Sequence, residues 1–183
     1  FDKDAKACYD RMVMSLVYLR AQQIGMPAEV CKFISATVDS AQYHLKTSTG
    51  ISEEFYQTTD NRPLYGSGQG KNEAPPEWLV LSTLIIGIMS EKTQGARFCD
   101  PDNQITAQRN LDGFVDDVTA FANDFKASLQ RQTTWKKILH DIQSAAQWWE
   151  QLLHAMGGKL ELSKCFFFQI EWITDKRTGK VRP

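Results

Sequence analysis

The chain has 183 residues, enough for one well-buried core or at most two small ones. Its apolar share of 42% and charged share of 23% are those of an ordinary globular protein, which excludes a disordered or low-complexity class. A formal net charge of −1 gives the surface as a whole no pull on nucleic acid, so such binding requires a local basic groove or regions outside this chain.

In chain order, residues 1–5 read as the end of a strand whose beginning is missing. The chain opens at Phe1 without a methionine and stops at Pro183 after a turn, so a piece of a longer polypeptide is expected. Met12, Val13, Leu16 and Val17 predict a helix from Tyr9 to Ile24, punctuated by Gly25 and Pro27. Val30, Cys31, Ile34, Val38, Ala41 and Leu45 predict a second helix that ends in KTSTG. Phe55–Thr58 and Pro63–Tyr65 read as a hairpin around Asp60-Asn61, followed by the glycine-rich YGSGQGKNEAPPEW. Pro75 and Pro76 suit the first turn of a helix running from Glu77 to Lys92.

Ala96–Cys99 is a short strand and 100–103 a turn. Leu111–Phe125 is a strand, a tight turn and a strand. Trp135, Ile138, Leu139, Ile142, Ala146, Trp149, Leu153 and Met156 predict a long amphipathic helix from Thr134 to Met156, stopped by Gly157-Gly158. Leu160 and Leu162 alternate as a strand, Cys165–Ile173 forms another, and Lys180-Val181 returns after a turn. This order predicts an α+β fold: a small antiparallel sheet with helices packed on one face. The most apolar run, Leu79–Met89, is too short to span a bilayer and reads as a buried helix. Cys8, Cys31, Cys99 and Cys165 form no CxxC pair and read as reduced thiols of an intracellular protein, in cytoplasm or nucleus, with no signal peptide.

The stretch GFVDDVTAF (113–121) places Asp116 and Asp117 side by side in an apolar hairpin. Adjacent carboxylates repel, and Asp-Asp is not a favoured two-residue turn, which wants positive φ at both positions. A polar hairpin tip is one reading. The other is a magnesium ion, which takes hard oxygen ligands and cancels the repulsion. Asp2 and Asp4, at strand spacing, offer further carboxylates, with Asp10 nearby. Two metal ions clamped by such groups suit phosphoryl transfer. The glycine-rich loop is not a P-loop; Gly66, Gly68 and Gly70 leave its backbone free to approach a flat ligand. Asp100 and Asp102 read as a turn rather than a calcium loop, and His44, His140 and His154 share no ligand spacing.

Four stretches in order then carry a family resemblance: DAKACYD (4–10), GSGQGKNEAP (66–75), FVDD (114–117) and GKLELSKC (158–165). Over residues 4–172 the chain resembles the palm domain of a retroelement reverse transcriptase, an RNA-directed DNA polymerase. The resemblance implies one polymerase palm-like domain over 1–183, a fragment without fingers and thumb regions. It gives the metal role to Asp4 rather than Asp2, with the carbonyl of Ala5 touching the nucleotide-bound metal. Asp116 becomes the second main ligand and Asp117 a supporting one. Tyr9 would lie under the incoming sugar and exclude a 2′-hydroxyl. Gln69 and Gly70 would line the nucleotide and template pocket, although Ala74 stands where the family commonly has serine. Lys164 would be the acid for the pyrophosphate leaving group.

The implied cofactor is a pair of Mg²⁺ ions, with Mn²⁺ as a substitute. The implied partners are an RNA or DNA template, a primer 3′-hydroxyl and deoxynucleoside triphosphates, with no membrane. Two alternatives remain open: an RNA-dependent RNA polymerase, which usually shows Gly-Asp-Asp, and a catalytically inactive palm-like RNA-binding scaffold. A two-metal nuclease would want the carboxylates without Gln69-Gly70 and Tyr9.

Overall fold

The computed structural model describes residues 2–5, 8–59, 64–68, 71–100, 102, 104–114, 117–123, 135–170 and 173–182. Strand β1 (Asp2–Asp4) leads into helix α1 (Cys8–Arg11), then α2 (Met14–Gln23) and α3 (Ala28–Asp39). The apolar spacing predicts one helix over 9–24, and the chain instead breaks at Met12-Val13. The cause is tertiary. The Met12 carbonyl accepts from the Gly66 N–H at 2.9 Å, and the Val13 N–H donates to the Met156 carbonyl at 3.1 Å. These partners take backbone groups that a continuous helix would use itself.

The second predicted helix also ends early, at Asp39. Tyr43–Thr47 forms strand β2, paired antiparallel with β3 (Gly50–Tyr56), and KTSTG holds the hairpin turn. Aromatic pairs favour the strand here: Tyr43 stacks on Tyr56 with centroids 5.2 Å apart, and His44 meets Phe55 at 5.8 Å. Phe55 and Tyr56 therefore pair backward, not with 63–65 as the sequence suggests; residues 60–63 lie outside the described residues.

Helix α4 (Ala74–Lys92) takes Pro75 and Pro76 into its first turn and starts earlier than the expected Glu77. Next come β4 (Ala96–Cys99), β5 (Thr106–Arg109), β6 (Leu111–Phe114) and β7 (Asp117–Ala120). Helix α5 (Trp135–Ala155) follows, as expected, but Leu139 on its predicted apolar face is exposed. Leu162–Lys164 is a 3-10 turn rather than a strand, and 165–170 form none. Near the end of the chain β8 (Ile173–Thr174) and β9 (Val181–Arg182) pair antiparallel.

The central sheet has the order β1-β7-β6, antiparallel throughout. Along β7 burial alternates: Val118 and Ala120 are buried, Asp117 is exposed. Helices α4 and α5 share one core with Val118. Leu81, Ile85 and Met89 come from α4, Ala145, Trp149 and Leu153 from α5, and Cys8 and Met12 from the α1 region. The fold is thus α+β. The sheet is packed on the Val118 face and open on the Asp117 side. Cys8 and Cys31 are buried and Cys99 and Cys165 half-buried, all as free thiols. Among the described residues, no helix is long and apolar enough to cross a membrane.

Candidate functional site

The register of the central sheet brings distant acidic positions together. Asp4 stands opposite Asp117, Lys3 opposite Val118 and Asp2 opposite Thr119. On its other edge Asp117 pairs with Phe114. Opposed residues in antiparallel strands lie about 4.5–5.5 Å apart at Cα, so the backbones of Asp4 and Asp117 are close neighbours. Asp116, which precedes Asp117 in the chain, lies outside the described residues, as do the side chains of Asp2, Asp4 and Phe114. Among the described residues no three metal-ligating side chains cluster.

The fourth stretch reaches the same strand end. Ala5, 3% exposed, forms an antiparallel bridge with Leu160, and the 3-10 turn that carries Lys164 lies against β1. The Lys164 side chain is exposed there. Gly157-Gly158 ends α5 just before this bridge, which turns the chain back toward β1.

Tyr9 sits half-buried in α1, packed against the main core. Cys8 and Met12, four positions apart, bury one side of this short segment; Asp10 and Arg11 are exposed. The glycine-rich loop lies directly on it: the Ser67 N–H donates to the Tyr9 carbonyl at 3.0 Å. The sequence suggests that Gly66 leaves room for a ligand, yet at Gly66 the close neighbour is the protein's own backbone at Tyr9 and Asp10. Gln69 and Gly70 lie outside the described residues. Beyond them, Lys71 donates from Nζ to the Tyr43 hydroxyl at 3.1 Å and lies over the Tyr43 ring at 5.1 Å. The loop is thereby tied to the β2–β3 hairpin on one side and to α1 on the other.

Behind the loop, Ser67 is 2% exposed and faces Glu77 of α4. Burial holds the Glu77 carboxyl above its ordinary value; the Ser67 hydroxyl opposes this, Glu73 adds to it and Lys71 opposes it. Tyr18 is also buried, with its hydroxyl unbonded among the described residues. Burial first, then the charge of Glu77, pushes its phenol up to about 12. A carboxyl raised in the folded state binds its proton more tightly there than when unfolded. The protein therefore loses stability as pH rises from the ordinary carboxylate value through the raised one. Glu77→Gln is expected to stabilise the chain at pH 7, with the gain shrinking toward pH 4. Urea unfolding at both pH values checks this, and a gain that grows on acidification would contradict it.

Sequence reasoning misses the polar anchors of the sheet. The Asn110 amide donates to the carbonyls of Thr93 at 3.0 Å and Ser90 at 3.3 Å, closing the C-terminal end of α4 onto β6. Asn123 exchanges two bonds with the backbone of Arg97, like an extra strand residue. Asp112 is paired with Arg109, whose guanidinium lies over Phe121. Single asparagines carry no pattern that betrays such partners. Asp100 lies in the β4–β5 connection, its carboxylate accepting from the Ile105 N–H at 3.0 Å, while Pro101 and Asn103 of the expected turn lie outside the described residues. His44 bonds the Ser52 carbonyl on the exposed hairpin. Compared with known proteins, the chain matches no family model and no curated protein.

Proposed function

We propose that this chain is the palm of a retroelement reverse transcriptase and carries out template-directed DNA synthesis by two-metal nucleotidyl transfer. The observation that carries the reading is the register that sets Asp4 opposite Asp117, at the mouth of the hairpin that contains Asp116. The family resemblance implies one centre for those carboxylates, and their strands are neighbours in the sheet. Support also comes from the bridge between Ala5 and Leu160, which brings the fourth stretch to β1, and from the glycine loop lying on Tyr9, which brings the second stretch to the first.

Carboxylate and carbonyl oxygens are a donor set that suits Mg²⁺, with Mn²⁺ as a substitute. Asp4, Asp116 and Asp117, with the Ala5 carbonyl, would hold the ions. Bound there, a magnesium pair supplies activation of the primer 3′-hydroxyl and neutralisation of triphosphate charge. Tyr9 excludes a 2′-hydroxyl from the incoming nucleotide. Gln69 and Gly70 line the nucleotide and template pocket. Lys164 protonates the departing pyrophosphate. Most of the catalysis is positioning and charge complementarity. The compartment that fits is intracellular, and fingers and thumb regions would complete the enzyme.

The test is primer extension by the complete protein on an RNA template with Mg²⁺ and deoxynucleotides. Template-dependent extension is the expected result. Binding of RNA without extension favours the scaffold, extension with ribonucleotides alone favours an RNA polymerase, and strand cleavage favours a nuclease. Tyr9→Ala is expected to retain extension while ribonucleotide incorporation rises by about tenfold or more, as pairwise competition would read. Unchanged exclusion would remove the steric role from Tyr9.

A further inference from the structure

Tyr9 holds a half-buried place in a four-residue helix, too short to hold a ring by its own hydrogen bonds. Something else must fix it. Two glycines from distant parts of the chain meet the backbone of α1 at carbonyl distance. Gly66, at φ +75°, donates its N–H to Met12 and lets Ser67 donate to the Tyr9 carbonyl. A Cβ on Gly66 would collide with that same Tyr9 oxygen and stand 2.5 Å from the Asp10 carbonyl carbon and 2.6 Å from its Cα. Gly157, at φ +89°, closes from the other end: a Cβ there would collide with the Arg11 carbonyl oxygen and stand 3.1 Å from Val13 Cγ2. The nearest atom at each glycine is a backbone oxygen, which can yield only by a shift of the α1 backbone or of the segment that carries the glycine.

We infer that Gly66, backed by Gly157, is a positioning residue for Tyr9 and so a determinant of sugar selection, because its missing side chain sets how closely the glycine loop seats on the Tyr9-Asp10 backbone. The inference rests on the polymerase reading above. Gly66 touches neither nucleotide nor metal in this account. It acts through the peptide that carries Tyr9, and it joins that residue to Gln69-Gly70, a short step along the same loop. A methyl group at Gly66 must push α1 and the loop apart, since φ +75° and the contact distance both forbid it in place.

The experiment is steady-state incorporation of deoxy- and ribonucleotides by the complete protein, compared among wild type, Gly66→Ala and Ser67→Gly. Ser67→Gly keeps the N–H to Tyr9 and removes only the buried side chain, so it loosens the loop without a clash. For Gly66→Ala, discrimination against ribonucleotides is expected to fall by about tenfold, with KM for the deoxynucleotide rising more than kcat falls. Ser67→Gly is expected to move the same ratio in the same direction by about threefold. In a Tyr9→Ala background neither change should lower discrimination further, because the ring through which they act is gone.

Wild-type discrimination in a Gly66→Ala protein that extends primers would overturn the inference. If Gly66→Ala does not fold, wild-type discrimination by Ser67→Gly would overturn it equally. So would full additivity with Tyr9→Ala. Failure of the wild-type protein to extend any primer would instead strike the polymerase reading itself.

Discussion

Asp4→Asn in the complete protein is expected to lower Mg²⁺-dependent primer extension on the order of 10³-fold, with folding retained. Asparagine keeps the shape and removes the charge that would neutralise a divalent ion. The register makes Asp4 the partner of Asp117 across the β1–β7 pair, so the proposed metal centre would lose one of its carboxylates. Asp112→Asn provides the contrast. That carboxylate lies on the neighbouring strand β6 and is engaged by Arg109. It is expected to leave extension within about threefold of wild type. Mn²⁺ binding followed by electron paramagnetic resonance should fall with the first substitution and persist with the second. Equal loss of activity in both variants would show that the sheet, not the metal centre, had been damaged.

The largest expected effect on stability lies on the opposite face of the same sheet. Trp149 is 1% exposed and packs in the core that joins α5 to Val118 of β7 and to Leu81, Ile85 and Met89 of α4. Trp149→Ala removes an indole that no neighbour can replace, and is expected to cost about 3–5 kcal/mol. Urea unfolding followed by circular dichroism checks this. A cost below about 1 kcal/mol would mean that the helix does not rest on the sheet as described. Because Val118 adjoins Asp117 in β7, this core also anchors the strand that carries Asp117. The catalytic proposal and the packing are two faces of one strand.

Residues differ in how far their local pattern reveals their place. The hairpin 111–120 is legible because Val118 and Ala120 alternate with polar neighbours, although Asp117, expected in the turn, is the first residue of β7 and pairs with Phe114. Helix α5 is legible because its apolar stripe repeats over many turns, as one face of a helix packed on a sheet must. The break at Met12-Val13 is not. Its cause lies in Gly66 and Met156, whose backbones claim the helix's own bonding groups. Strand β2 is hidden because Leu45 continues a helical spacing, while Tyr43 and His44 find aromatic partners only once β3 is beside them. Strand β5 has no apolar alternation at all: Thr106–Arg109 is exposed throughout, and pairing with β4 alone defines it.

The proposed acidic centre is half legible in the same sense. The sequence places Asp116 and Asp117 in a turn and Asp4 at a strand end; that these strands are neighbours is a property of the sheet. The glycine loop shows the opposite case. Its composition invites a ligand, whereas Gly66 serves the protein's own backbone first.

The central claim is the proposal that Asp4, Asp116 and Asp117 together form one divalent-metal centre for DNA synthesis. Primer extension by the complete protein carrying Asp116→Asn, with Mg²⁺ and deoxynucleotides on an RNA template, tests it most directly. The account predicts no extension above background from a variant that is folded and still binds primer and template. Near-normal extension by that variant would contradict it.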